Sequence, residues 1–300
     1  MLNIAGLRLP MLADRVITGD VYFLGSAVTD AQDLPSHGGD PRKPFATLDY
    51  ALSKMTAGQG DYLIVLPGHA ETLTAAGSID VAGIHIMGVV CGGLTPTFTG
   101  NAAVDCISID ADDVEFNGFR FGAPGTDAQT SAINIDADSA VVKNIYIPEC
   151  SVTSGNVNIV DVISLTANAD NCLIENVQIW NSLIAVTSFL HFEGAASNVT
   201  VKNFTAFGDV ATGGIIDTAK VAYLYMENVN VGVVGTTIPA VSLGSNPEGM
   251  AKNCFFASTS ATIAAGCALG NLMRTDNVKT LNETDNTLSA FVYPLVDAGT

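Results

Sequence analysis

One feature of this sequence constrains the fold more than any other: an asparagine-centred segment recurs at nearly regular intervals. Successive asparagines are separated by 27, 32, 27, 25 and 25 residues. They are Asn117, Asn144, Asn176, Asn203, Asn228 and Asn253. A self-similar unit of this length predicts a solenoid, in which each repeat packs only against its neighbours.

The pattern within each repeat predicts short strands joined by sharp bends. Apolar residues alternate with polar ones on both sides of the asparagine, which indicates one strand before it and another after it. Asparagine tolerates the left-handed backbone that a sharp bend requires, and stacked asparagines can hydrogen-bond from coil to coil. The segment GIHIMGVV (83–90) fits the same frame, with Gly88 in the asparagine position.

A second family of predicted strands lies between the asparagine segments, so each coil has at least two strands. Its members are CISID (106–110), AINID (132–136), VISLT (162–166), FLHFE (189–193), GIIDT (214–218) and AVSLG (240–244).

Composition agrees with a single long core that is enclosed by short strands. The chain is 48% hydrophobic and only 14% charged, and its 29 glycines favour frequent turns. We therefore predict an all-β fold, a right-handed single-stranded parallel β-helix with seven or eight coils. At about 4.8 Å per coil, this gives a rod roughly 35 Å long. Loops at 122–131 and 148–158 leave the coils, and a local function would lie there.

The N-terminal region is predicted to close one end of this helix. Residues 43–55 (KPFATLDYALSKM) carry apolar side chains at helical spacing, which predicts a capping helix near 44–57. The segment DYLIVLPG (61–68) is predicted to be the first buried strand. The expected organisation is an N-terminal arm (1–20), the β-helix (21–281) and a C-terminal tail (282–300).

The arm and the tail fall outside the repeat but still carry apolar side chains. Two interpretations stay open for both segments. They attach the protein to a partner, or they fold back and cover the end coils.

Charge and cysteine pattern exclude several classes of partner. The formal net charge of −18 repels nucleic acid, anionic membrane surfaces and polyanionic sugars, so neither nucleic-acid nor membrane partners are expected. The six cysteines show no CxxC pairing, and most lie in apolar runs, so we expect them to be reduced and buried. Neither an export signal nor a membrane span is predicted.

The N-terminal third resembles a known group of proteins. The stretches GGDPRKPFATLDYAL, GDYLIVLPGHAET and VAGIHIMGVVCGGLTPTFTG are similar to the opening of pectate-lyase-like β-helix proteins of bacteriophages. The resemblance covers about residues 20–120 by motif and the rest by coil pattern. It implies a virion component, although such helices serve as decorations, fibres, spikes and enzymes.

Paired carboxylates are the best candidates for chemistry in a fold of this kind. The parallel contexts IDADD and IDADS predict that two acidic turns stack on adjacent coils, where they could bind calcium or act as acid and base. The alternative is a solvated turn in which aspartates accept bonds from backbone amides, and we favour this alternative. The residues are Asp110, Asp112, Asp113, Asp136 and Asp138.

Four other residues have a functional and a structural interpretation, and the structural one is favoured for each. Arg120 is expected to form a surface or interface ion pair rather than to act as a lyase base. Trp180 is expected to pack or to contact another subunit rather than to bind a ligand. The resemblance places His69 and Glu71 in a framework segment, which implies that they stabilise a turn rather than form a catalytic pair.

From these sequence observations we predict no catalytic, cofactor-binding or metal-binding residue. His37, His85 and His191 are dispersed and lack metal-ligand spacing. The NTD, GHG and RIK signatures of polygalacturonase-like enzymes are absent from the sequence, as are phosphate-loop and dinucleotide motifs.

The expected function is therefore a non-enzymatic structural role in the virion of a tailed bacteriophage. We expect a homotrimeric decoration or cement protein, made in the host cytoplasm and placed on the capsid surface, with the major capsid protein or other virion proteins as partners. Two alternatives stay open: a tailspike-like polysaccharide depolymerase or lyase, and a passive module that binds a host surface glycan.

Overall fold

The computed structural model of the 300-residue chain is a parallel β-solenoid of about eight turns. It describes residues 2–4, 7–9, 18–152, 157–234, 237–245, 247–259, 267–275 and 278–282. The predicted all-β class and the parallel stacking of coils are confirmed. Residues 283–300, most of the predicted tail, lie outside the described residues.

The described chain forms one short helix and 26 strands. The first half contains β1 (Leu2–Ile4), β2 (Leu7–Leu9), β3 (Val21–Leu24), α1 (Leu48–Leu52), β4 (Tyr62–Val65), β5 (Ala70–Leu73), β6 (Gly77–Ile79), β7 (His85–Gly88), β8 (Thr97–Gly100), β9 (Ile107–Ile109), β10 (Glu115–Phe121), β11 (Gln129–Ile135), β12 (Val141–Ile147) and β13 (Ser151–Val152). The second half contains β14 (Val157–Leu165), β15 (Leu173–Val186), β16 (Ser188–Phe192), β17 (Thr200–Val210), β18 (Ile215–Asp217), β19 (Leu224–Glu227), β20 (Asn230–Val234), β21 (Val241–Ser242), β22 (Gly249–Lys252), β23 (Phe255–Ser258), β24 (Cys267–Ala268), β25 (Met273–Thr275) and β26 (Lys279–Asn282).

The strands of the solenoid form three faces that run along its axis. The first face contains β3, β4, β7, β19, β22, β25 and the parts of β10, β12, β15 and β17 before the asparagine bend. The second face contains β5, β8, β20, β23, β26 and the parts of those four strands after the bend. The third face contains β6, β9, β11, β14, β16, β18, β21 and β24. The predicted second family of strands forms this third face.

Stacking of identical positions builds the core. Val142, Ile174, Val201 and Met226 lie in register on successive first-face strands, and all four side chains are fully buried. Each such side chain contributes about 1.5–3 kcal/mol by leaving water. Because one coil exposes its inward residues until another covers them, the solenoid buries apolar surface only through repetition.

The predicted asparagine ladder is present along most of its length. The side-chain Nδ2 of Asn144, Asn176, Asn203 and Asn228 donates to the Oδ1 of the preceding asparagine, at 2.8, 3.1, 3.1 and 3.0 Å. These four residues and Asn253 have φ between 50° and 56°, in the left-handed region. The asparagines therefore both make the bend and connect adjacent coils.

The ladder begins differently from the prediction. Asn117 is buried and is not left-handed; instead Gly118, the next residue, has φ of 94°. Gly88 does not supply a left-handed bend either. A Cβ atom at Gly88 would lie 2.1 Å from the carbonyl oxygen of Gly118, so this position needs glycine for close approach between coils.

A second row of bends, which the sequence pattern did not reveal, precedes the first face. Its non-glycine members adopt φ between 55° and 59° and include Asp113, Ser139, Asn171, Asn198 and Tyr223. Within the row, Asn198 Nδ2 donates to Asn171 Oδ1 at 3.1 Å. The residue types vary, which explains why no repeat was visible in this position.

The N-terminal region contains a helix, but a shorter one than the predicted 44–57. Helix α1 spans Leu48–Leu52, begins after the N-cap Thr47, and buries Leu48, Ala51 and Leu52. It contacts β3 and β6, the first strands of the first and third faces. That this helix closes the end of the solenoid stays a prediction. The segment predicted to be the first buried strand, 61–68, contains β4, whose four residues are all buried. A half-buried strand that was not predicted, β3, precedes β4 and pairs with it.

Four cysteines are buried as predicted, but Cys91 is exposed. The five cysteines whose side chains the structure describes are free thiols. Burial, with smaller contributions from nearby carboxylates, raises the pKa of Cys106 to about 12 and that of Cys172 to about 11. No helix in the described part of the chain is long and apolar enough to span a membrane.

The ladder can be tested at Asn203, which accepts one bond from the next coil and donates one to the previous coil. Asn203→Ala loses both bonds. Alanine also tolerates the left-handed region less well than asparagine, so we expect a loss of about 2 kcal/mol in the free energy of unfolding. Asn203→Gly loses the bonds but tolerates the bend, and we expect about half that loss. Urea denaturation measures both; an alanine variant as stable as the glycine variant would contradict the bend assignment.

Thiol labelling tests the packing of the core. In the native protein a maleimide reagent should modify Cys91 rapidly and leave Cys106, Cys150, Cys172 and Cys254 unmodified, because burial hides these thiols and disfavours the reactive thiolate. Peptide mass spectrometry identifies the modified sites, and the same reaction in urea provides the control. Rapid native modification of any of the four would contradict the described core.

Candidate functional site

The outer side of the first face carries a ladder of alternating charges. Nζ of Lys143 lies 3.4 Å from Glu175, and Nζ of Lys202 and Lys252 lie 3.7 and 3.3 Å from Glu227. These pairs lie in register on successive strands. Their charges largely balance one another, so this face contributes little to the acidic character of the chain.

The outer side of the second face carries an open apolar groove of about 550 Å³. Its centre is a stacked pair of rings, Trp180 and Phe207, with centroids 5.4 Å apart and planes inclined by 29°. The indole is 45% exposed. The groove is lined by Trp180, Asn181, Ser182, Phe207, Gly208, Asp209, Gly232, Val233, Val234, Ala257, Ser258 and Thr259.

Strand register explains how the sequence forms this groove. Trp180, Phe207, Gly232 and Ala257 align on four successive strands, so two large rings are followed by two small residues. A Cβ atom at Gly232 would lie 2.4 Å from a carbon of the Phe207 ring. Glycine therefore lets the ring lie against the next strand, and the step from large to small residues forms the depression.

The groove has little charge for a protein of net charge −18. Asp209 is the one charged residue among those that line it. Val234 at its edge is 55% exposed and adds apolar surface. The groove on the second face thus combines apolar surface with few charges. The sequence prediction that Trp180 packs or contacts a subunit is compatible with this position, because the indole packs on Phe207 and is still accessible.

The third face carries a cluster that sequence spacing did not reveal. His191 Nδ1 lies 3.0 Å from Asp161 Oδ2 and 3.8 Å from Glu193 Oε1. The Ser188 hydroxyl donates to the other oxygen of Asp161 at 2.6 Å. The Ser188 hydroxyl and His191 Nδ1 are thus both directed at the Asp161 carboxylate.

Crowded carboxylates surround this cluster. Burial raises the pKa of Glu193, Asp217 and Asp105, and repulsion from neighbouring carboxylates adds to the effect at Glu193 and Asp105. Burial lowers the pKa of His191, but the hydrogen bond and charge of Asp161 outweigh it, with smaller effects from Glu193 and Asp217, so the pKa lies above its ordinary value. The face therefore favours a positive charge at His191.

Alignment of the coils could have revealed the cluster. Asp161 lies 30 residues before His191, which is about one turn of the solenoid. Strand β14 places Asp161 beside Ser188 and Ser164 beside His191. A search for metal or catalytic spacing within one strand misses such a group, because its members come from adjacent coils.

The predicted stacking of the two acidic turns is confirmed, and their carboxylates accept hydrogen bonds within and between the turns. Asp112 Oδ1 accepts a bond from the backbone N–H of Asp138 at 2.9 Å, and Asp138 accepts bonds from Ser139 and Asn171. Asp113 occupies the second row of bends. These contacts support the interpretation of the segment as a hydrogen-bonded turn.

The remaining two aspartates of this group also accept bonds from neighbouring side chains. Asp110 accepts from the hydroxyls of Ser78 and Ser108. Asp136 accepts from Thr166 and from Asn168, the latter at 2.9 Å. The structure gives each carboxylate a role in joining adjacent coils.

His69 and Glu71 connect the first coil to the helix, in agreement with the predicted framework role. His69 is fully buried; its Nδ1 accepts from the Ser26 N–H at 3.0 Å, so its Nε2 carries the proton and faces Glu71 at 3.2 Å. Glu71 in turn accepts from the backbone N–H of Leu48, at the start of α1. The pair is therefore a structural bridge.

The other singled-out residues are separated from one another. Arg120 lies on the outer side of the second face between Thr97 and Tyr146, and it makes no ion pair with any described residue. Of the two predicted forms, a surface ion pair within the described chain is thus not formed, and an ion pair across an interface stays a prediction. His85 pairs with Glu115 on the first face at 3.0 Å, and His37 lies 3.8 Å from Asp30 in the N-terminal region.

Comparison with known proteins identifies no relative: no family model, no curated protein and no solved structure matches the chain.

The His69–Glu71 bridge can be tested by removing its carboxylate. Glu71→Ala leaves the buried His69 Nε2–H and the Leu48 N–H without their acceptor, so we expect a loss of about 2–3 kcal/mol in the free energy of unfolding. Glu248→Ala is the control, since it removes an exposed pair with Lys220, and it should cost less than about 1 kcal/mol. Equal losses in urea denaturation would contradict the bridge.

Proposed function

We propose that this chain is a non-enzymatic structural protein of a tailed bacteriophage virion, a capsid decoration or cement protein that assembles as a homotrimer through its second face. The observation that carries the assembly step is the Trp180–Phe207 groove, an exposed aromatic surface on the side of a rigid solenoid. The resemblance of the N-terminal motifs to those of phage β-helix proteins supports the virion assignment. We also propose the right-handed, pectate-lyase-like form of the β-helix, with α1 as its cap.

Charge supports the second face as the contact between copies. Two chains of net charge −18 repel each other, so they approach best through a surface with few carboxylates. The groove has one, Asp209, whereas the third face presents several. Burial of the indole and of Val234 against a second copy would supply the favourable free energy.

The shape of the solenoid supports a closed ring of copies. A groove along the side of a rod can contact a neighbouring rod over several coils, and a rotation that closes after three copies leaves no groove exposed. Such a trimer fits threefold positions of a capsid, where the major capsid protein or other virion proteins are the expected partners. The apolar arm and tail, at the two ends of the sequence, are the proposed attachment segments.

A matched pair of substitutions tests the proposed interface. Val234→Asp places a charge at the edge of the groove, and we expect it to shift the assembly from a trimer, three times the 31.0 kDa chain, to a monomer. Leu94→Asp is the control, because Leu94 is similarly exposed, at 58% against 55%, but lies in a loop away from the groove. Sedimentation velocity measures both.

Four results would argue against the proposal, two from this experiment and two from separate ones. A wild-type protein that sediments as a monomer would contradict the proposed trimer. Equal effects of the two variants would contradict the groove as the interface. Binding of a monomeric protein to a glycan array, lost in Trp180→Ala, would assign the groove to a host surface glycan instead. Absence of the chain from washed virions, determined by mass spectrometry, would contradict the virion assignment.

A further inference from the structure

We infer that Asp161, His191 and Glu193 form a binding site for a divalent transition metal of the Zn²⁺ type, which joins two adjacent coils on the third face. The three residues offer one ligand atom each, and these atoms lie within 4.8 Å of one another. Asp161 belongs to β14, whereas His191 and Glu193 lie on and directly after β16. A bound ion would therefore crosslink neighbouring turns of the solenoid.

The ligand spacing fits a small tetrahedral cation. Zinc bonds to nitrogen and carboxylate oxygen at about 2.0–2.2 Å, so neighbouring ligand atoms in a tetrahedral site lie about 3.3–3.5 Å apart. The observed distances from His191 Nδ1 are 3.0 Å to Asp161 and 3.8 Å to Glu193, on either side of that value. Small side-chain adjustments suffice, and solvent can supply the fourth ligand because Glu193 is exposed.

The central carboxylate is held in place before any ion binds. Asp161 is buried, and its Oδ1 accepts a 2.6 Å bond from the fully buried Ser188 hydroxyl. This leaves Oδ2 directed at His191. Second-shell bonds of this kind fix the orientation of a ligand and reduce the entropy that binding would otherwise cost.

The surrounding charge favours a cation. Asp105 and Asp217 lie close enough to act electrostatically on Glu193 and His191, respectively. A divalent ion would replace a proton between His191 and Asp161 and reduce the repulsion among these carboxylates.

The histidine also sets the class of metal and its affinity. Calcium requires six to eight oxygen ligands and magnesium prefers oxygen in an octahedral site, so three protein ligands that include an imidazole favour zinc-like ions. His191 Nε2 is buried without a hydrogen-bond partner among the described residues. Because strong zinc sites give this nitrogen an acceptor, we expect binding in the range of about 1–10 µM.

Calorimetric titration with ZnCl₂ tests the site in the full chain. A Cys91→Ser background removes, as a competing ligand, the one exposed thiol among the cysteines whose side chains the structure describes. We expect one Zn²⁺ per chain and a rise of the melting temperature that EDTA reverses, with no rise for Mg²⁺ or Ca²⁺ at the same concentration. Equal effects of Ca²⁺ and Zn²⁺ would overturn the proposal, since they would indicate general attraction to an acidic surface.

Substitutions locate the bound ion. His191→Gln should weaken zinc binding at least ten-fold, and so should Asp161→Asn, whereas His85→Gln, which alters the His85–Glu115 pair on the first face, should leave it unchanged. If either ligand variant fails to fold, the absorption spectrum of the Co²⁺-loaded Cys91→Ser protein decides. Tetrahedral nitrogen and oxygen ligation supports the site, and a thiolate charge-transfer band or octahedral spectrum overturns it.

Discussion

The structure depends on the contact between each coil and the next. The backbone of one strand bonds to the equivalent strand a turn later, and the inward side chains leave water only when that turn is in place. The asparagine ladder adds a side-chain bond at the bend, so the same residue that turns the chain also fixes its register against the neighbouring coil. A residue that bends equally well but lacks the amide would lose the second role.

Because the inward positions and the bends carry the fold, the outward positions can differ from face to face. The first face has alternating lysines and glutamates, the second has aromatic rings beside glycine and alanine, and the third has crowded carboxylates around one histidine. On each face, the outward side chains that contact one another come from adjacent coils rather than from neighbouring positions along the chain. The chemistry of such a protein is therefore set by residues about 25 to 32 positions apart in sequence.

Much of the scaffold could be predicted, because it repeats. Alternating apolar residues identified the strands on all three faces, and the spacing of the asparagines identified most of the ladder. Prediction failed where the local rule changed. Gly118 takes the bend in place of Asn117, and the half-buried β3 was not predicted because its four residues lie before the first recognisable repeat.

The candidate sites were harder to predict than the fold. Trp180 was recognised as a single residue, but the groove also requires Phe207 and Gly232 from the following two coils. Likewise, His191 seemed isolated until the pairing of β14 with β16 brought the Asp161 carboxylate, opposite Ser188 in that register, within 3.0 Å of the imidazole. Spacing within a motif cannot reveal such groups, since loops of unequal length alter the distance between aligned positions.

Trp180 is the single tryptophan of the chain, so its fluorescence reports directly on the second face. Quenching by acrylamide, measured over a range of protein concentrations, tests whether the groove is covered on assembly. If copies associate through this face, quenching decreases as the concentration rises through the association range, because the neighbouring copy covers an indole that is 45% exposed in the single chain. Quenching that stays constant while sedimentation shows trimers would contradict the account.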